Sequence, residues 1–151
     1  MSIEEDLRKP ESESEELRMG KLTEWVEEFD EAADAVRRMG EMPQGGNTEG
    51  AEPPSQWAID AAIAFLNCLK GNGRIPSRIA PCVEGGVTMV WEPVDGDTER
   101  RYADVEFFNT EEIFMAVSDV KSPPAIYEIR PDDWQSAVDR LYNWLCANGY
   151  A

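Results

Sequence analysis

The chain contains no histidine in its 151 residues and only three cysteines, and both shortages narrow its chemistry. Without histidine it lacks the commonest general base and any Ser-His or Cys-His nucleophile pair. Cys68, Cys82 and Cys146 are odd in number and widely spaced, form no C-x-x-C arrangement and have no histidine with which to complete a zinc site. They read as small buried hydrophobes, and no disulfide framework is expected. G-x-S-x-G, Walker A and G-x-G-x-x-G patterns are absent as well, so acyl transfer and nucleotide chemistry lose their usual signatures. No run approaches the roughly 20 apolar residues of a membrane span, and the opening MSIEEDLRKP lacks the apolar stretch of a signal peptide. The expectation is a soluble cytoplasmic protein with no catalytic residues, no metal ligands and no cofactor.

Positive charge is also scarce. Ten Arg and four Lys stand against 31 Asp and Glu, for a net charge of −17. Such a surface repels a phosphate backbone over about a Debye length, 8–10 Å, which argues against direct nucleic-acid binding and makes a basic protein the expected charged partner. The acidity is uneven. Residues 1–56 hold 16 acids and 6 bases, the remaining 95 hold 15 and 8, a distribution that fits an interaction arm joined to a folded domain.

Along the chain, residues 1–13 are too charged and too poor in large apolar groups to offset the entropy of ordering, and read as a disordered acidic tail. A helical period follows. Leu22, Trp25, Val26, Phe29, Ala33 and Val36 recur at three- and four-residue intervals, predicting an acidic amphipathic helix over 14–40 with Gly40 as its stop. Its other face carries Glu24, Glu27, Glu28, Glu31 and Asp34. Like-charge pairs four apart are unfavourable in an isolated helix, which fits a ridge built for a cationic partner. A plain solvated face fits too, since acids first and Arg37-Arg38 last is the order the helix dipole favours.

Residues 41–56 are rich in Gly, Pro and polar side chains and read as a flexible linker. From 57 to 151 the pattern predicts an α+β domain. A domain of that size buries only about 60–65% of its unfolded surface and folds with little margin. Ser55 N-caps a helix through Lys70 whose apolar residues cover much of its circumference, one side of which is open to receive the stripe of the acidic helix. The period then changes to two. Ile79 to Val83 and Val87 to Trp91 flank a Gly85-Gly86 hairpin, and Asp95-Gly96 marks a second reversal. Arg101 to Phe108 alternates Ala103, Val105 and Phe107 with Tyr102, Asp104 and Glu106, a strand with one dry and one wet face. Ile113 to Val117 reads as a strand, with a short helix from Thr110 as the alternative, and Ala125 to Ile129 as an edge strand. Pro131, Asp132 and Asp133 then open a helix striped by Trp134, Ala137, Val138, Leu141 and Leu145.

The outcome is an antiparallel meander of four to five strands packed against helices. Its α-β-α order is similar to that of the frataxin-like sandwich, in element order alone; no motif carries that family's iron-related function across. Three sets of residues are candidates for function. The acidic ridge is the first. Trp144, off the centre of the last helix's stripe, forms with Tyr142 either a partner-facing patch or the rim of a wide buried stripe. Asp104 and Glu106 share a strand face on which they could hold a cation, while Asp95, Asp97, Glu99 and Glu106 superficially match calcium-loop positions but lack the required glycine. The leading expectation is a non-catalytic accessory, inhibitory or antitoxin-like module that binds a basic protein such as a nucleic-acid enzyme. The alternative is a small-ligand or carboxylate metal-binding protein whose acidity reflects solubility or adaptation to salt.

Overall fold

The computed structural model describes residues 27–41, 52–70 and 74–146. The tail expected over 1–13, the first part of the acidic helix over 14–26 and most of the linker over 41–56 lie outside them. Helix α1 is described over 27–39, followed by α2 (Gln56–Leu69), strands β1 (Arg78–Pro81), β2 (Gly86–Trp91), β3 (Tyr102–Phe108), β4 (Ile113–Ser118) and β5 (Ala125–Glu128), and helix α3 (Trp134–Leu145). The strands form one antiparallel sheet in the order β1-β2-β3-β4-β5. This is the expected α+β meander, with the upper of the two strand counts. No helix among the described residues is long and apolar enough to cross a membrane.

Local chemistry explains most of the boundaries. The Ser55 hydroxyl accepts from the Ala58 amide at 3.1 Å and starts α2 as an N-cap. Helix α3 starts at Trp134, three residues after the proline expected to open it. Pro131 lies before the helix, and Asp133 is the cap, accepting from the Ser136 amide. Strand β1 ends before Val83, because the Gly85 amide returns to the Cys82 carbonyl and closes the turn there, leaving Val83 66% exposed. The turn demands its glycines: Gly85 and Gly86 have φ of +95° and +136°, and a side chain at Gly86 would collide with the Phe107 carbonyl. The segment after Thr110 is strand rather than helix, with Ile113 paired to Phe107 in β3.

The sheet's alternation decides where the core sits. Ala103, Val105 and Phe107 on β3, with Val87, Met89 and Trp91 on β2 and Ile113, Met115 and Val117 on β4, point to one face and are almost wholly buried under α2 and α3. Phe65 of α2 sits at their junction. Its ring meets Trp91 at 6.4 Å, Phe107 at 5.7 Å and Trp134 of α3 at 5.7 Å, each edge to face. The Trp91 indole, fully buried, satisfies its N–H on the Arg74 carbonyl at 2.7 Å.

Helix α1 joins this same core. Phe29, Ala33, Val36 and Met39 belong to the buried cluster that contains α2, so the described part of the apolar stripe is consumed by the protein's own fold, while Leu22, Trp25 and Val26 lie outside the described residues. Lys70, the C-cap of α2, donates to Asp30 at 2.7 Å. At Gly40 a Cβ would run into the Ile59 side chain, which shows how closely the end of α1 approaches α2. At the far side, the Asn109 side chain accepts from the Ser55 amide at 2.7 Å and donates to the Pro53 carbonyl at 3.1 Å, tying the entry of α2 to the β3–β4 turn.

Because Phe65 touches both central strands and α3 at once, Phe65→Ala is expected to cost about 3–5 kcal/mol, a large part of the roughly 5–15 kcal/mol that stabilises a domain. Chemical denaturation checks this. Phe65→Leu, which keeps most of the volume and loses the edge-to-face contacts, should cost clearly less.

Candidate functional site

Two surfaces of opposite origin concentrate negative charge. The first is the outward face of α1. Glu27, Glu28, Glu31 and Asp34 are all exposed there, a direct consequence of Phe29, Ala33 and Val36 turning inward at helical spacing. Glu24 lies outside the described residues. Asp34 pairs with Arg37 one turn later at 2.7 Å and Asp30 with Lys70, so part of the ridge is already neutralised. Among the described residues, Glu27, Glu28 and Glu31 have no basic partner. They are the sector of the ridge open to an outside cation.

The second surface is the sheet face turned away from the helices. Among the described residues no helix packs on it, yet it is not the wet face that simple alternation implies. Tyr102, Asp104, Glu106 and Phe108 on β3 are all only partly exposed, and Val90, opposite Asp104, is 4% exposed. Neighbouring side chains crowd one another: Phe108 and Phe114 stack edge to face at 6.1 Å. The carboxylates within this crowd lose hydration. Burial raises the Asp104 carboxyl above its ordinary range, and burial together with the charges of Asp104 and Glu84 does the same to Glu106.

The structure changes which residues share that face as a group. Sequence spacing pairs Asp104 with Glu106, but the tight set is Cys82, Glu84 and Glu106, whose Sγ and one oxygen from each carboxylate lie within 4.8 Å of one another. The β1–β2 hairpin brings them together. Cys82 directly follows β1 and donates its amide to the Gly86 carbonyl, Glu84 projects from the turn, and Glu106 reaches across from β3, where it pairs with Thr88. Nothing in a one-dimensional reading joins residues 82 and 106 except the hairpin glycines, whose turn fixes which end of β3 the cysteine meets.

The other sequence candidates are engaged in the fold. The Trp144 indole donates to the Tyr102 carbonyl at 3.2 Å and its ring packs against the core, while Tyr142 beside it remains 44% exposed. Asp97 is no calcium ligand in waiting. Buried to 5% exposure, it accepts from the Glu99 and Arg101 amides and from the Arg101 guanidinium at 3.0 Å, a closed network that shapes the β2–β3 connection. Between β5 and α3, a cleft of about 500 Å³ is lined by Tyr127, Arg130, Asp133 and Arg140, with the Arg140 guanidinium stacked over Tyr127 at 4.0 Å. Ser136 and Glu128 also line it, and no histidine stands beside the Ser136 hydroxyl to activate it.

Two outcomes follow from these environments. A carboxyl that holds its proton more tightly folded than unfolded contributes stability when protonated, and that contribution is lost as pH rises from the ordinary carboxylate range through the raised one. Asp104→Asn and Glu106→Gln are therefore each expected to raise the melting temperature of chelator-treated protein at neutral pH, with the gain fading below the ordinary carboxylate range; calorimetry across pH checks it. Asp97→Ala, which strands a buried guanidinium, should cost about 3–5 kcal/mol by urea denaturation, whereas Asp95→Ala on the exposed side of the same loop should stay within about 0.5 kcal/mol.

No protein-family model matches this chain, and no curated protein or solved structure shows a significant match to it, so its function has to be read from its own residues.

Proposed function

We propose that the protein is a non-catalytic interaction module of the cytoplasm that binds a basic protein surface through the acidic ridge of α1. One observation carries this reading: the apolar stripe of α1 is buried in the protein's own core while Glu27, Glu28 and Glu31 face outward without basic partners among the described residues. A helix anchored in this way presents its charges in a fixed array, so a partner meets them without first paying to order the helix. Charge rather than apolar burial then selects the partner, and a protein with a basic surface, such as a nucleic-acid enzyme, fits it. Binding to nucleic acid itself is disfavoured by the net charge of −17. An accessory, inhibitory or antitoxin-like subunit is the role this arrangement serves best.

The carboxylate ridge acts chiefly on encounter. Electrostatic steering raises association rates by about 10- to 1,000-fold and decays with ionic strength. The test is quantitative affinity capture from native lysate with the full chain and with the Glu27→Gln/Glu28→Gln/Glu31→Gln variant, at low and moderate salt, followed by association kinetics on the purified partner. The expected result is one basic protein recovered by the wild type, released by salt, with association at least about tenfold slower for the variant. Equal kinetics for the two chains would remove the ridge from the interface.

A further inference from the structure

The cluster at the β1–β2 hairpin has a chemistry that neither the fold nor the acidic ridge uses. We propose that Cys82, Glu84 and Glu106 bind one divalent cation of the zinc class. This site lies on the sheet face opposite α2 and α3, and it stands or falls independently of the role of α1.

Two observations support it. The donor atoms of the three side chains lie within 4.8 Å of one another. Around a tetrahedral zinc ion, with Zn–S of about 2.3 Å and Zn–O of about 2.0–2.2 Å, neighbouring donors sit about 3.3–3.6 Å apart, so closure needs a contraction of no more than about 1 Å. Glu84 is exposed on the turn and free to supply that movement. Independently, Cys82 is only 7% exposed and its thiol has no hydrogen-bond partner among the described residues, although it faces two carboxylates. Among the described residues, no lysine or arginine pairs with Glu84 or Glu106 either. A cation is the group that would satisfy all three side chains at once.

The donor set chooses the metal. A thiolate disfavours calcium and magnesium, which take oxygen ligands, and suits zinc and its softer congeners. Three protein ligands leave the fourth tetrahedral position to water or to a donor from another molecule. The ligands carry three negative charges against the ion's two, and loading the site releases the thiol proton, so affinity rises with pH.

The test is a titration of the full-length protein, kept reduced with a phosphine, with cobalt(II) and then zinc(II). The expected result is a thiolate-to-cobalt charge-transfer band that saturates at one equivalent, is displaced by zinc, survives Cys68→Ala and Cys146→Ala, and disappears in Cys82→Ala. Glu84→Gln and Glu106→Gln should weaken cobalt binding at least as much as the roughly 10- to 100-fold that loss of a supporting outer-shell group costs. No band at saturating cobalt, a band that survives Cys82→Ala, or several weak ions bound alike by all variants would overturn the proposal. Should Cys82→Ala fail to fold by circular dichroism, the exposed Glu84→Gln decides: unchanged cobalt affinity in a variant with an unchanged metal-free melting temperature rejects the site.

Discussion

The contact of Phe65 with three aromatic partners organises this molecule. A single ring on α2 meets β2 through Trp91, β3 through Phe107 and α3 through Trp134, all edge to face. Helix α3 is separated from α2 in sequence by the whole sheet, and this junction is where the two ends of the domain close on it. Small domains have few such contacts to spare, because little of their surface can be hidden. The sheet orientation follows. With Val87, Met89, Trp91, Ala103, Val105 and Phe107 committed to the helix side, strict alternation sends Thr88, Val90, Asp104 and Glu106 to the other.

That division creates two kinds of acidic surface. On α1 the carboxylates are exposed on a helix anchored in the core, the arrangement that the proposed docking role uses. On the open sheet face they are crowded and partly dehydrated, a costlier arrangement that favours the neutral form of Asp104 and Glu106. Perturbed carboxylates of this kind cluster at functional sites and also occur in structural networks. The hairpin turn adds the Cys82 thiol to that face beside Glu84 and Glu106.

Periodicity made much of the fold legible. The stripes of α1, α2 and α3, the dry face of β3, the Ser55 cap and the Gly85-Gly86 turn all follow from spacing and residue chemistry, because each is decided within a few residues. Departures occurred where distant parts meet. The period-two spacing carries the first strand through Val83, yet the turn hydrogen bond from Gly85 to Cys82 ends it sooner. Trp144 looked peripheral on its helix until β3 supplied a carbonyl for its indole. Asp97 resembled a ligand in a list of alternating acids, but Arg101 folds back over it and buries the pair.

The sequence by itself determined the elements, the excess of negative charge and the chemistry that is missing without histidine, since these are properties of local spacing and composition. Only the tertiary structure decided that the acidic helix shares the domain's core and that Cys82 and Glu84 meet Glu106. Both results depend on long-range packing. An apolar stripe states that a helix must be covered without stating by what, and a cysteine states its reactivity without its neighbours, until the register of three strands brings them within reach of one ion.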